Sequence, residues 1–219
     1  MSKADWIKAA QEQKQPELMH MIMTACKKPG DFVADPRLLS YLGNRRELLK
    51  VLDFGCGLGR NCIGIARFSD KWEVMGYDLT PMIERAHRYI PSTTTDKDIL
   101  DRIYLTDSMQ TAVEEYRPDV ALACFCLQHI DKSELLDILP WMGDHIPKLI
   151  VSGRTWMDDG TLDAFALVEA CGWRITKTHE RDASNPLGEH RVVEYASPAS
   201  HRIRSEERRV GKECRLLCR

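Results

Sequence analysis

An aspartate and three glycines on alternate positions, Asp53, Gly55, Gly57 and Gly59, stand in the stretch V-L-D-F-G-C-G-L-G-R at residues 51–60. Glycine permits positive φ and lets a ligand approach the main chain closely. A loop of this kind between a buried strand and a helix makes a ligand crevice at the carboxyl edge of an open α/β sheet. The flanks supply both elements. Val51, Leu52 and Phe54 form an apolar run long enough for one buried parallel strand, and residues 61–68 carry Ile63, Ile65 and Ala66 as the apolar content of a helix.

The spacing narrows the ligand. A dinucleotide loop needs G-x-G-x-x-G, its third glycine permitting close helix–strand packing. Here that place holds Arg60, and the third glycine comes one residue early. A second acid, Asp78, closes a strand expected over 72–78, nineteen residues after Gly59. It is either a solvated strand-end carboxylate or an acceptor of two strong hydrogen bonds from a diol. Thr80 then reads as the N-cap of the next helix and Pro81 as its first residue. A third strand is expected over 102–106. Asp107 follows it, and could itself cap a helix over 108–116.

The sequence D-F-G-C-G-L-G at 53–59 resembles motif I of the class I S-adenosyl-L-methionine (SAM) methyltransferases, D/E-x-G-x-G-x-G. G-Y-D-L-T-P-M-I-E-R-A at 76–86 is similar to the family's G-x-D-x-S-x-x-M-x-x-x-A. D-V-A-L-A-C-F-C-L-Q-H-I at 119–130 is similar to its D-x-V-x-x-x-x-x-L-x-H-[IVL]. The resemblance spans residues 50–155. It implies an α/β fold: a Rossmann-like, doubly wound, seven-stranded sheet with an antiparallel last strand, preceded by a short helical N-terminal extension. It implies SAM as cofactor and S-adenosyl-L-homocysteine as product. The binding residues it points to are Asp53, Gly55, Cys56, Gly57, Gly59, Asp78, Leu79, Asp107, Ser108 and Cys124. In the family the acid after the third strand meets the adenine amino group, which would be the role of Asp107.

The implied reaction is in-line displacement at the methyl group by an acceptor lone pair. A neutral thioether leaves, so no general acid is needed, and alignment is the main catalytic demand. A base is required only for an alcohol, an acid or a weakly acidic carbon. His129, just past the fourth strand, is the candidate, with a titration range that suits the task. His20, Tyr77, Arg154, His179 and His190 are weaker candidates. The fourth strand ends in Cys124-Phe125-Cys126-Leu127 and lacks the N/D-P-P-Y/F/W of amide and exocyclic-amine methyltransferases. A small-molecule acceptor remains by elimination. Two other classes stay open: a SAM-binding protein without transferase activity, and a nicotinamide-dependent oxidoreductase, against which the glycine spacing speaks.

The rest of the chain positions this core. Residues 1–48 read as a helical extension or lid, with helices over 2–15 and 17–27 and a third starting at Asp35-Pro36 and running through Leu42. Residues 49–203 form the SAM-binding domain. Within it, 91–101 reads as a polar surface loop. Asp131 and Glu134 read as a capping box for a helix to Leu139. A strand over 148–152, a helix over 161–171 stopping at Gly172, and two strands over 173–179 and 191–196 complete the order. Cys124 and Cys126 should alternate onto one face of the fourth strand. None of the eight cysteines forms C-x-x-C, and none pairs with His at a zinc spacing, so no metal is expected and free buried thiols are.

No apolar run approaches a membrane span and the N-terminus lacks a signal core, so a cytoplasmic protein without membrane partners is expected. The string R-S-E-E-R-R-V-G-K-E-C at 204–214 looks like a translated sequencing adapter, and residues 204–219 read as a non-native tail. That tail holds six of the 31 Lys/Arg and three of the 33 Asp/Glu, so the rest of the chain carries −5 where the whole carries −2. The basic end is therefore no sign of a long nucleic-acid partner. Truncation after Ser200 is expected to leave the thermal midpoint of unfolding nearly unchanged, because an unpacked segment buries little area. A large drop by differential scanning calorimetry would mark the tail as packed protein.

Overall fold

A computed structural model describes residue 8 and residues 36–154, 163–180 and 190–199. The helices expected over 2–15 and 17–27, His20, the loop between the last two strands and the tail from 204 lie outside the described residues. The third expected N-terminal helix is present as α1 (Pro36–Leu42). The core then runs β1 (Leu49–Phe54), α2 (Arg60–Phe68), β2 (Trp72–Tyr77), α3 (Thr80–Thr93), α4 (Lys97–Leu100) and β3 (Ile103–Thr106). A π-helical turn (Thr111–Glu115), β4 (Val120–Cys124), a 3-10 turn (Leu127–His129), α5 (Lys132–His145), β5 (Lys148–Arg154), α6 (Ala164–Ala170), β6 (Arg174–Glu180) and β7 (His190–Ala196) follow.

The seven strands form one sheet in the order β3-β2-β1-β4-β5-β7-β6. Neighbours from β3 to β5 pair in parallel, and β7 is antiparallel to both β5 and β6. The expected doubly wound sheet with an antiparallel last strand is thus present. The strand order reverses between β1 and β4, which is where such sheets open a ligand crevice.

The apolar runs are continuous because the central strands are covered on both faces. Leu52 and Phe54 of β1, Ala121 and Ala123 of β4, and Leu149 and Val151 of β5 pack toward α5 and α6, with Leu135, Leu139, Phe165 and Trp173. Val51, Val120, Leu122 and Ile150 pack on the other face against α1 and α2, with Leu38, Leu42, Cys62 and Ile65. Alternation therefore sends Asp53 to the α2 face, where it is wholly buried. The chain before β1 is tied down by Lys148. Its Nζ donates to the carbonyls of Tyr41 (2.9 Å) and Leu42 (3.1 Å) at the end of α1, and sits 3.2 Å from Glu194 on β7.

Several expectations are corrected. The polar stretch 91–101 is not a loop. α3 continues through Pro91 to Thr93, and α4 follows, its first turn capped by Asp96, whose side chain accepts from the amides of Asp98 and Ile99. α5 likewise continues past Leu139 through Pro140 to His145. The Asp131 side chain makes no cap bond there, so no capping box closes. Cys124 and Cys126 do not share a strand face. β4 stops at Cys124, Phe125 takes φ +54, and Cys126 lies in helical conformation with its thiol donating to the Phe54 carbonyl at 3.0 Å. α6 begins at Ala164, with Asp163 as its N-cap accepting from Phe165 N, and stops before Gly172 at φ +90.

Among the described residues no helix is long and apolar enough to cross a membrane. Trp173 links the hairpin to α5: it is 2% exposed, and its indole Nε1 donates to the Leu139 carbonyl at 2.9 Å. Trp173→Ala is expected to cost about 3–5 kcal/mol, the range for emptying an aromatic site in a core. Urea unfolding measures it, and a loss under about 1 kcal/mol would contradict this packing.

Candidate functional site

The glycine loop is held down on the end of β2. The amides of Gly55 and Cys56 both donate to the Tyr77 carbonyl, at 2.9 and 3.0 Å. The amide of Gly57 donates to Asp78 Oδ2 at 2.7 Å, and that of Gly59 to the Cys56 carbonyl at 2.9 Å. All three glycines have positive φ. Gly55 and Gly59 are also fixed by packing. A Cβ on Gly55 would lie 2.4 Å from the Cβ of Cys126, and one on Gly59 would lie 2.5 Å from Cδ1 of Ile90.

Three acids stand at three depths. Asp53 is beneath the loop and accepts from Asn61 Nδ2 (3.3 Å) and the Cys62 thiol (3.4 Å). Burial pushes its carboxyl up to about 6, against a pull downward from these donors and from the charge of Arg60. Asp78 is half-buried and accepts from the Gly57 and Leu79 amides, both at 2.7 Å. Burial raises its carboxyl and the two amides pull it back. Asp107 is exposed and accepts from Thr80 Oγ1 at 2.6 Å. Thr80 is therefore not the N-cap of α3. Leu79 holds that position, and the Thr80 hydroxyl is spent across the crevice edge. Asp107 is not a cap either: Ser108 Oγ accepts from Thr111 N at 3.2 Å and does that work.

Asp78, Leu79, Asp107 and Ser108 thus meet beside Gly57 along the carboxyl ends of β2 and β3. The fourth strand brings Cys124 to the same edge, half-buried, with its thiol near Ser152 and Asn61. His129 ends the 3-10 turn after β4, half-buried, with Nε2 3.5 Å from the Gln128 amide nitrogen. Tyr77 stacks on Phe54 with ring centroids 5.5 Å apart, and burial pushes its hydroxyl up. Arg154 ends β5, His179 lies in β6 and His190 opens β7; their side chains are outside the described residues.

The cysteines around the loop have raised thiols. A hydrogen bond with Cys62, and burial, hold the Cys56 thiol well above its ordinary value; burial does the same at Cys126 and raises the Cys124 thiol. Protonated buried thiols are inert. All five cysteines among the described residues are free, and no group of three or more His, Cys, Asp or Glu there could hold a metal. Sequence reasoning missed the Asn61–Asp53 and Thr80–Asp107 contacts. An Asn in the first turn of a helix, a poor helix former with no capping duty, was the available signal for Asn61.

The residues fit a nucleoside cofactor better than a dinucleotide. A diphosphate needs free loop amides, yet the amides of Gly55, Cys56, Gly57 and Gly59 are already spent within the protein. Asp78 also sets a carboxylate at that loop. Carboxylates at the ends of β2 and β3 suit instead a ribose diol and an exocyclic amine.

The pattern of the methyltransferase-domain family matches residues 32–152, more than half of the chain. The chain belongs to that family and is, in fold and motif, a class I SAM-dependent methyltransferase. No curated protein sequence matches it. Among solved structures it is similar to magnesium protoporphyrin IX methyltransferase from Synechocystis PCC 6803. With SAM bound, that protein is 19% identical with a TM-score of 0.57, over 74% of this chain and 77% of that one. With S-adenosylhomocysteine bound, the values are 17%, 0.59, 89% and 93%. The pyocyanin biosynthetic protein PhzM is 15% identical with a TM-score of 0.61, over 90% of this chain and 62% of that one. At these identities the likeness concerns the fold.

The depth of Asp53 has a consequence for stability. Its carboxyl is raised in the folded state from an ordinary 3.8 to about 6. The folded state therefore holds the proton more tightly, and that stabilisation is full below pH 4 and lost as pH rises through 6. Asp53→Asn is expected to gain stability relative to the unsubstituted chain between pH 4 and 7, by up to about 3 kcal/mol at roughly 1.4 kcal/mol per unit. Urea unfolding of both proteins across that range measures the difference. A difference independent of pH would show that Asp53 does not ionise in the buried site.

Proposed function

We propose that the chain moves a methyl group from S-adenosyl-L-methionine to a small-molecule acceptor. The observation that carries this reading is the Asp78 carboxylate set against the Gly57 amide, 2.7 Å away, where a dinucleotide would require its phosphates. Bound there, the cofactor supplies an electrophilic methyl group on a sulfonium sulfur. The protein's residues hold and orient. Asp78 is assigned to the ribose diol and Asp107 to the adenine amine. Gly55, Cys56, Gly57, Gly59 and Leu79 shape the floor, and Ser108 and Cys124 line the edge. Asp53 acts from beneath the loop rather than by direct contact, because it has no exposed surface.

Excluding water strengthens every electrostatic contact in such a site. His129 is assigned to the acceptor's proton where the acceptor is an alcohol, an acid or a carbon acid. The −5 charge of residues 1–203 and the names of the similar structures, which concern a porphyrin and pyocyanin, support a small acceptor over a long nucleic acid.

Calorimetric titration with SAM, S-adenosylhomocysteine and NAD tests the reading. Heat is expected with the first two and none with NAD; binding of NAD alone would overturn it. Asp78→Ala is expected to weaken SAM binding by about 1.5–3 kcal/mol, the scale for hydrogen bonds to a charged group. Unchanged affinity would remove Asp78 from the site.

A further inference from the structure

One side-chain bond crosses the crevice edge and serves neither element that it joins. Thr80 Oγ1 donates to Asp107 Oδ2 at 2.6 Å, across 27 residues of sequence. On one side, α3 has no need of that hydroxyl. Its N-cap is Leu79, whose carbonyl accepts from the amides of Met82 (2.8 Å) and Ile83 (3.1 Å). On the other side, the turn after β3 closes without the Asp107 carboxylate. Ser108 N donates to Thr106 Oγ1 at 3.0 Å, and Thr111 N to Ser108 Oγ at 3.2 Å. The two side chains meet because Tyr77 and Thr106 are register partners, so that β2 and β3 end side by side. Both residues are exposed, and among the described residues Asp107 Oδ1 accepts no hydrogen bond. One carboxylate oxygen is thus held, and the other is open to a ligand.

We propose that Thr80 is a positioning residue for base selectivity: its hydroxyl holds Asp107 by Oδ2 and so leaves Oδ1 set for the exocyclic amine of the cofactor's purine. The assignment rests on the cofactor reading above. An ionised carboxylate only accepts, so it recognises an amine and gains nothing from a purine that lacks one. An exposed aspartate at a strand end would otherwise turn freely in water, and binding the amine would then cost the ordering of that side chain. Thr80 removes the freedom in advance. Its branched Cβ leaves few χ1 rotamers, and its main chain is fixed in the first turn of a 14-residue helix. A hydroxyl donating to a carboxylate makes a short, charge-assisted bond. The same bond ties the start of α3 to the end of β3, so the two loops that flank the base keep one spacing.

The test is calorimetric titration of the full chain with two probes. S-Adenosylhomocysteine carries the purine 6-amine, and its 6-deamino analogue has hydrogen in that place. The unsubstituted chain is expected to bind the first about 10–100 times more tightly. Thr80→Val keeps the branched shape and removes the donor. It is expected to weaken S-adenosylhomocysteine about 3–10-fold and to leave the analogue unchanged. Thr80→Ser is expected to restore most of the gap. In an Asp107→Ala background, which closes the gap, Thr80→Val is expected to add nothing. A loss shared equally by both probes in Thr80→Val would mark Thr80 as a prop for the helix and overturn the proposal, as would an unchanged gap. Equal binding of the two probes by the unsubstituted chain would overturn it together with the role of Asp107, whereas binding of neither would remove the cofactor reading as well.

Discussion

The carbonyl of Tyr77 takes two amides, and the site depends on that fork. Gly55 and Cys56 can both reach it only because β1 and β2 run parallel with Phe54 opposite Tyr77, and because Gly55 turns at positive φ. Asp78, one residue on, extends the contact to Gly57. The loop is thereby moulded on the end of a neighbouring strand before any ligand arrives, and α2 begins where it ends. β2 is itself braced from outside the sheet. The Arg102 guanidinium bridges the carbonyls of Ser69 (2.6 Å), Trp72 (2.9 Å) and Asp98 (2.9 Å), joining the start of β2 to α4. A cluster of short bonds that draws on only two side chains, Asp78 and Arg102, keeps the crevice in shape at little cost in side-chain entropy.

Three aspartates of identical chemistry acquire different work from depth alone. Under the helix, Asp53 meets so little solvent that its ionisation is contested, and it orients Asn61 rather than a ligand. Asp78, at the rim, accepts from two amides that work against the upward push of burial, and it has accessible surface. Asp107, in the open, is steadied by one hydroxyl. The gradient runs across three adjacent strands, β1, β2 and β3, and it separates a group that supports the loop from two that can meet a cofactor.

The strands were legible because burial on both faces writes itself as near-continuous apolar runs, interrupted at Val51–Phe54 only by Asp53 and unbroken in β4. The doubly wound sheet and the reversed β7 followed from the family resemblance rather than from any run of residues. The helix ends were less legible. Pro91 and Pro140 read locally as breaks, yet each sits inside a helix held by tertiary packing, with Ile90 and Leu139 buried beside them. The loop residues of the site showed in the glycine spacing, and the burial of Asp53 could have been read from the alternation of β1. The Thr80–Asp107 bond could not: it joins residues 27 apart in sequence and exists only because β2 and β3 end side by side.

Strand β7 is the last of the described strands in the chain but lies inside the sheet, between β5 and β6. During synthesis β6 emerges first, with no partner of its own, since its only neighbour is still to be made. Until Ala196 has left the ribosome, β5 carries a bare row of amides and carbonyls next to the finished half of the sheet. The growing chain therefore passes through a state with two unmatched edges, which one late hairpin closes together. A reading frame cut before β7 would take an interior strand and leave a sticky protein, whereas a cut just after it takes none of the described strands; on this topology the position of a frame's end matters more than the number of residues lost.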